Sequence, residues 1–489
     1  MPDTLTELTH PSQTASSLDD LLATRASESG GHRFLWTPTQ TLTYRQVHDR
    51  VERMAAGLQE RGIGPGDRVV LFMGNSGEHV RLWLALNRIG AVSVPVNTGL
   101  TGDLLARAVG TVQPSMLIVD SSLIANCANI IRAMHGANVP VYLNRDHPAS
   151  AEVVDPDLAD LPWLAEIDAA GPAERPQVDE LAAAVMLFTS GSTGVPKACV
   201  LSRRYVLRAA QIHAKYLRLT DSDVLFTPFP LFHIDAATLT VAAAAASGAT
   251  AALSPRFSAS RFWEEVRASG ATVFNYMGAT ANILWKQEPS PSDRDHRVRL
   301  AWGVPMPACA PDWQQRFGFP LVEVYGLTDA GVPCYPPLDE EPVPGSCGRV
   351  IPEYELRIGD ENGTALPAGS VGEIMIRAHE PGLLMNEYFA MPDATRTAMR
   401  DGWFHTGDLG EVDDEGFVRL QSFQGGAELP QALRAEFVSA VLKEAGLTVT
   451  VDRSSLIEIL VTGHLDKDHG ARDDRQIERA LVVVLRLIW

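Results

Sequence analysis

Apolar residues recur along this chain at two different periods, and the switching between them predicts the architecture. Val47, Val51, Met54, Ala55 and Leu58 share one face at helical spacing, and Gly62 closes that helix. Gly66 and Asp67 then turn the chain into the apolar run 69–72, short enough for a buried strand. The succession repeats with a helix around Val80, Trp83 and Leu84, a strand at 91–96, a helix at 104–109 and a strand at 116–119. Further apolar runs at 182–188, 224–226, 250–253 and 273–276 have helical segments between them. Such alternation predicts mainly parallel sheets covered by helices, because a parallel crossover needs a helix-length connection. From 345 to 420 the spacing shortens, and runs at 355–358 and 372–377 are separated by Gly/Asp/Asn-rich turns, which predicts a small β-rich lobe.

The expected class is therefore α/β: a large N-terminal domain over 1–420, with α/β subdomains at 18–345 and the lobe at 346–420. A small, atypical α+β region follows over 421–489, where Leu433, Phe437, Val441 and Leu442 outline an amphipathic helix and 480–485 is apolar. No internal repeat is visible, and a chain of 489 residues exceeds what one core usually organises. The alanine-rich stretch 239–246 ends at Ser247 and Gly248, far short of a membrane span, and reads as a helix packed between other elements.

Charge and cysteine content narrow the functional classes. Forty-one basic against 60 acidic residues give a net charge of −19, a surface that repels nucleic acid and anionic membrane, so an anionic ligand must be held by local donors. Five scattered cysteines, odd in number and without metal-ligand spacing, predict reduced thiols rather than disulfides or a zinc site. The polar N-terminus lacks the regions of a signal peptide, so a cytoplasmic location without membrane insertion is expected.

The densest chemistry lies in Leu187-Phe188-Thr189-Ser190-Gly191-Ser192-Thr193-Gly194-Val195-Pro196-Lys197, directly after the strand expected at 182–188. Its two glycines let backbone N–H groups approach phosphate oxygens, the hydroxyls add donors, and Lys197 adds a charge-assisted contact. A Walker loop does not fit, since Pro196 separates Lys197 from the last glycine and disfavours helix at Val195. A flexible polar linker seldom follows a core strand so directly.

This stretch resembles the Thr-Ser-Gly-Ser-Thr-Gly-x-Pro-Lys motif of the adenylate-forming superfamily, which includes acyl-CoA synthetases, adenylation domains and luciferases. Tyr325-Gly326-Leu327-Thr328-Asp329 and Gly402-Trp403-Phe404-His405-Thr406-Gly407-Asp408-Leu409 resemble two further motifs in the expected order, and Pro230-Leu231-Phe232-His233 and Gly372-Glu373-Ile374 resemble lesser landmarks. Phe274-Asn275-Tyr276-Met277-Gly278-Ala279 and 293–299 are most similar to carnitine/crotonobetaine–CoA ligase-like proteins. The resemblance spans about 18–420.

It implies attack of a carboxylic acid on the α-phosphate of ATP, with loss of pyrophosphate and transfer of the acyl group to CoA or a small nucleophile such as an amine. Lys197 and the loop residues Thr189, Ser190, Gly191, Ser192, Thr193 and Gly194 would hold the β- and γ-phosphates, and Thr328 would contact the α-phosphate. Asp329 would hold Mg²⁺ where the family usually places Glu, a shorter reach for a metal that demands bonds of roughly 2.1 Å. Asp408 would accept the ribose hydroxyls and Tyr325 would stack on adenine. Tyr276, Gly278 and Ala279 would line the acyl cavity opposite Gly303 and Val304, which with Glu323 and Gly326 also border the nucleotide. His233 would orient the carboxylate and, with Lys197 and Thr328, carry the catalysis; packing as a helix cap is its plainer alternative. Asp235 could pair a substrate ammonium or act as an N-cap.

After Leu420 the chain departs from the family. Gln421-Ser422-Phe423-Gln424-Gly425-Gly426-Ala427-Glu428 stands where an Asp-Arg or Gly-Arg pair and a charged hinge are expected, and the late catalytic lysine has no counterpart, since Lys443 and Lys467 sit in unrelated contexts. This predicts adenylate formation with CoA as a poor acceptor. A non-catalytic nucleotide- or acyl-binding homologue is the alternative.

Overall fold

The computed structural model describes residues 15–145, 158, 160–189 and 197–422. Two seven-stranded sheets dominate. In the first the strands lie side by side in the order Leu321–Glu323, Leu300–Val304, Val273–Met277, Val224–Thr227, Thr250–Leu253, Arg33–Thr37 and Gln40–Thr43. All neighbours there are parallel except the last two, which form a hairpin. The second runs Glu387–Tyr388, Lys197–Ser202, Ala183–Thr189, Val92–Pro95, Arg68–Phe72, Met116–Asp120 and Val141–Asn144. Its last five strands are parallel, whereas Lys197–Ser202 turns back antiparallel on Ala183–Thr189 and Glu387–Tyr388 pairs antiparallel with it. Burial on both faces explains why these strands read as unbroken apolar runs in the sequence.

The lobe is an antiparallel sheet of Tyr354–Gly359, Gly372–Ala378, Trp403–Val412 and Met399–Arg400, with Val418–Ser422 added along Trp403–Val412. This last strand runs two residues past the boundary expected at 420. A three-stranded sheet of Tyr325–Leu327, Gly331–Tyr335 and Arg349–Val350 also lies in this part of the chain.

Helices start where polar caps stand. Ser17, Ser76 and Ser202 accept from the N–H groups of Asp20, His79 and Tyr205, and Thr43 closes a capping box with Gln46 at the head of Tyr44–Glu60. The expected alanine-rich helix is present but wound in two ways: Ala237–Ala242 is π-helical, Ala243–Ser247 is α-helical, and Gly248 ends it at φ 81°. Both turns are fully buried and pack on the helix Arg203–Tyr216. No helix among the described residues is long and apolar enough to cross a membrane. All five cysteines are free and buried.

One side chain ties the two large sheets together. Asn75, just beyond Arg68–Phe72, donates from Nδ2 to the carbonyls of Phe229 and Ser254 and accepts at Oδ1 from the Leu231 N–H. It thereby joins the C-terminal ends of strands from both sheets.

Two histidines are locked in the interior. His213 is wholly buried, its ring edge-on to Trp302 at 4.3 Å and its Nδ1 2.9 Å from the Tyr335 hydroxyl. His79 donates from Nδ1 to the Gly74 carbonyl. Burial pushes their pKa values down to about 3 and about 4. Because each depressed histidine binds its proton more readily after unfolding, its stabilising contribution is complete above the ordinary value of 6.5 and is lost as pH falls toward the folded value. Stability should therefore decline between pH 6.5 and about 4, with a slope of up to about 1.4 kcal/mol per pH unit for each histidine. Urea denaturation across this range checks it, and His213→Asn should flatten the slope by about one proton.

Candidate active site

Elements that carry the expected motifs leave the C-terminal ends of parallel strands, which is where open α/β sheets place their ligands. In the first sheet, His233 follows Val224–Thr227, Gly278 and Ala279 follow Val273–Met277, Val304 ends Leu300–Val304, and Tyr325 to Asp329 follow Leu321–Glu323. In the second, Ala183–Thr189 ends at the polar loop. Thr189 and Lys197 face each other across the antiparallel pair, and Lys197 opens the returning strand. Ser190, Gly191, Ser192, Thr193 and Gly194 lie outside the described residues.

Lys197 is brought close enough to Asp329 for its charge to act on the carboxyl. Its Nζ lies 4.6 Å from the centroid of the Tyr388 ring, a cation–π arrangement. Asp329 is 8 % exposed, and burial raises its carboxyl pKa while the Cys199 thiol, the Lys197 charge and the Tyr388 hydroxyl act in the opposite direction. The backbone of the Thr328-Asp329 pair is held from two sides: Met385 N–H donates to the Asp329 carbonyl at 2.8 Å and the Tyr205 hydroxyl to the Thr328 carbonyl at 2.8 Å. Asp329 Oδ1 is buried and has no partner among the described residues, where no cluster of three His, Cys, Asp or Glu side chains occurs either. A single buried carboxylate with a spare oxygen fits a Mg²⁺ ion that takes its other ligands from phosphates and water.

Asp408 sits in the middle of Trp403–Val412, wholly buried. Its N–H donates to Thr406 Oγ1, which in turn donates to the Ile374 carbonyl, and Gly407 takes a φ of 74° there. Glu373 braces this turn from the neighbouring strand, accepting the Gly407 N–H at Oε1 and lying 2.8 Å from His405 Nδ1 at Oε2. The Tyr325 hydroxyl donates to Asp408 Oδ2 at 2.8 Å. Tyr325 is buried beside Asp408, which its hydroxyl supports.

Several residues expected to border ligands have a packing reason for their identity. A Cβ on Gly303 would stand 1.9 Å from the Tyr276 carbonyl oxygen, one on Gly278 2.8 Å from the Pro305 carbonyl, and one on Gly326 2.6 Å from the Gly331 carbonyl. Tyr276 is a core side chain whose hydroxyl donates to the Val322 carbonyl, while Ala279 is exposed in the first turn of Gly278–Trp285. Val304 is half-buried, and Glu323 is buried, which raises its pKa.

His233 is the N-cap residue of Ile234–Ala236, yet its side chain makes no cap hydrogen bond, and burial pulls its pKa down to about 4. It is therefore neutral at neutral pH. Asp235 is not the N-cap expected of it; it stands in the first turn, where burial raises its pKa to about 6.

Sequence reasoning missed Tyr388, Met385 and Tyr205. Glu387–Tyr388 is only two residues long, too short for any periodicity to show, and its partner strand lies far upstream.

Comparison with known proteins adds an independent line. A family model described as AMP-binding enzyme matches residues 22–389. The chain is similar to crotonobetaine/carnitine–CoA ligase of Salmonella paratyphi A, at 32 % identity over 384 residues that cover 77 % of this chain and 72 % of the relative. Among solved structures, ATP-bound MatB of Rhodopseudomonas palustris superimposes with a TM-score of 0.71 at 25 % identity, covering 83 % of this chain and 79 % of that one. A benzoate CoA ligase of Burkholderia xenovorans shares the fold with a TM-score of 0.74 at 21 % identity, covering 88 % of this chain and 84 % of that one.

The glycine geometry gives a direct test. Gly303→Ala should destabilise the protein by about 3 kcal/mol, because a strand carbonyl must move to admit the methyl group. Gly136→Ala, in a helix turn with open space around it, should be neutral or stabilising by up to about 1 kcal/mol. Denaturant unfolding of both variants checks the contrast.

Proposed function

The chain belongs to the AMP-binding enzyme family, and from that premise we propose that it is an AMP-forming acid ligase that activates a carboxylic acid as its acyl-adenylate and passes the acyl group to CoA. The observation that carries this reading is the gathering of Lys197 and Asp329 around Tyr388, while a hydrogen bond from Tyr325 in the same motif as Asp329 reaches Asp408. ATP is the activating substrate, and the relatives' names supply CoA as the acceptor, with crotonobetaine and carnitine as the first acids to test.

Attack of one anion on another needs positive charge and N–H donors placed beforehand. Lys197 supplies the charge on the β- and γ-phosphate side, and the hydroxyl of Thr328, on a backbone pinned by Tyr205, faces the α-phosphate. Asp329 would hold Mg²⁺, which when bound would offset phosphate charge. Asp408 holds the ribose, exchanging its Tyr325 hydrogen bond for a sugar hydroxyl. His233, neutral because it is buried, orients the acid by hydrogen bonding without adding charge.

The residues that would close over CoA in the family belong to 423–489, outside the described part of the chain. Since that segment lacks the family's hinge and late lysine, thioester formation should be slower than adenylation.

Pyrophosphate release from ATP across a panel of carboxylic acids, with and without CoA, tests the reading. Lys197→Ala and Asp408→Ala should each lower turnover or ATP affinity by about 10- to 150-fold, the loss of one hydrogen bond to a charged group at about 1.5–3 kcal/mol. Asp329→Glu should keep Mg²⁺-dependent activity and Asp329→Ala should raise the Mg²⁺ requirement. No acid-dependent pyrophosphate release with any acid would reject the proposal.

A further inference from the structure

The edge of the second sheet carries a feature outside the motifs described above. Tyr388 is the register partner of Cys199, two residues beyond Lys197. Because side chains alternate along a strand, Lys197 and Cys199 share a face, and Tyr388 stands directly across from one and diagonally across from the other. Its ring lies 4.6 Å from the Lys197 ammonium, and its hydroxyl approaches the Asp329 carboxyl. The ring is 5 % exposed, and the main chain beneath it is fixed: Tyr388 N–H donates to Thr395 Oγ1, and Asn386 and Phe389 N–H donate to the Val200 and Ala198 carbonyls. Three residues earlier, Met385 N–H holds the Asp329 carbonyl. One short segment thus grips both the cation and the carboxylate of the site.

We propose that Tyr388 is the positioning residue of Lys197: its anchored ring holds the ammonium beside Asp329 before ATP arrives. A long, flexible lysine stem at the mouth of a loop would otherwise sample many rotamers. The proposal rests on the reading of Lys197 as a phosphate ligand, and its test separates the two.

Equilibrium binding of ATP in the absence of acid is measured for Tyr388→Phe, Tyr388→Leu and Tyr388→Met, alone and combined with Lys197→Ala, with thermal unfolding as the fold control. The phenylalanine variant keeps the aromatic face and should bind ATP within about twofold of the unsubstituted protein. The leucine variant should bind ATP about fivefold to tenfold more weakly, with KM for ATP raised in step and KM for the acid unchanged. Methionine fills a similar space without a ring and gives the same answer where the leucine variant does not fold. In the Lys197→Ala background the leucine or methionine substitution should have no further effect on ATP binding, because the ring acts through the lysine. An equal penalty in both backgrounds, or no penalty in either, overturns the positioning role. Unchanged ATP binding in Lys197→Ala alone overturns the phosphate assignment and the proposal with it.

Discussion

The antiparallel return of Lys197–Ser202 on Ala183–Thr189 is the constraint from which the rest of the site follows. Had the chain entered a helix after the polar loop, as in a Walker arrangement, the lysine would have moved along a helix axis. The strand instead holds Lys197 opposite Thr189 by ladder hydrogen bonds and offers its free side to Glu387–Tyr388. That second pairing brings Met385 onto the Asp329 carbonyl. Three segments far apart in the chain are thus fixed by main-chain bonds, which are less tolerant of drift than side-chain contacts alone.

Buried acids give the site its second character. Asp329 and Asp408 are both shielded from water in a chain with a large negative charge. Shielding makes each carboxylate depend on a few neighbours: Thr406 and Glu373 accept the backbone N–H groups of the turn that presents Asp408, and the Tyr325 hydroxyl donates to its oxygen. For Asp329 the neighbours are a thiol, an ammonium and a phenol, and one oxygen is left over. An acidic surface can therefore coexist with a local centre for anions, because field strength inside a shielded cleft is set by the nearest charges and dipoles.

Much of this was legible in the sequence. The apolar runs at 69–72, 116–119 and 273–276 became strands of the two sheets, and the helical stripe from Val47 to Leu58 became the core face of Tyr44–Glu60. Thr189, Val304 and Lys197 stand at strand ends, whereas Asp408 lies within Trp403–Val412. What escaped has physical reasons. Antiparallel strands on the edge of a parallel sheet share the same apolar pattern as the parallel ones, so direction could not be read. A two-residue strand carries no period, which hid Tyr388. The hydrogen bond from Tyr325 to Asp408 was also hidden, because two motifs far apart in the chain do not state that their side chains meet. The glycines at 278, 303 and 326 looked like ligand cradles, whereas tight main-chain approach already demands them.

The pairing of Arg33–Thr37 with Thr250–Leu253 bears on how this chain is made. The first strand, Arg-Phe-Leu-Trp-Thr, is synthesised early, but its parallel neighbour emerges only about 200 residues later, after the whole parallel part of the second sheet. At translation rates of about 5–20 residues per second, that is roughly 10–40 s during which the strand has Gln40–Thr43 as its sheet neighbour and the helix Tyr44–Glu60 packed on it, but lacks its parallel partner. A hairpin of that size is marginal in water. The nascent chain therefore carries one side of this apolar strand unpaired through much of its synthesis, while the five parallel strands of the second sheet are already made.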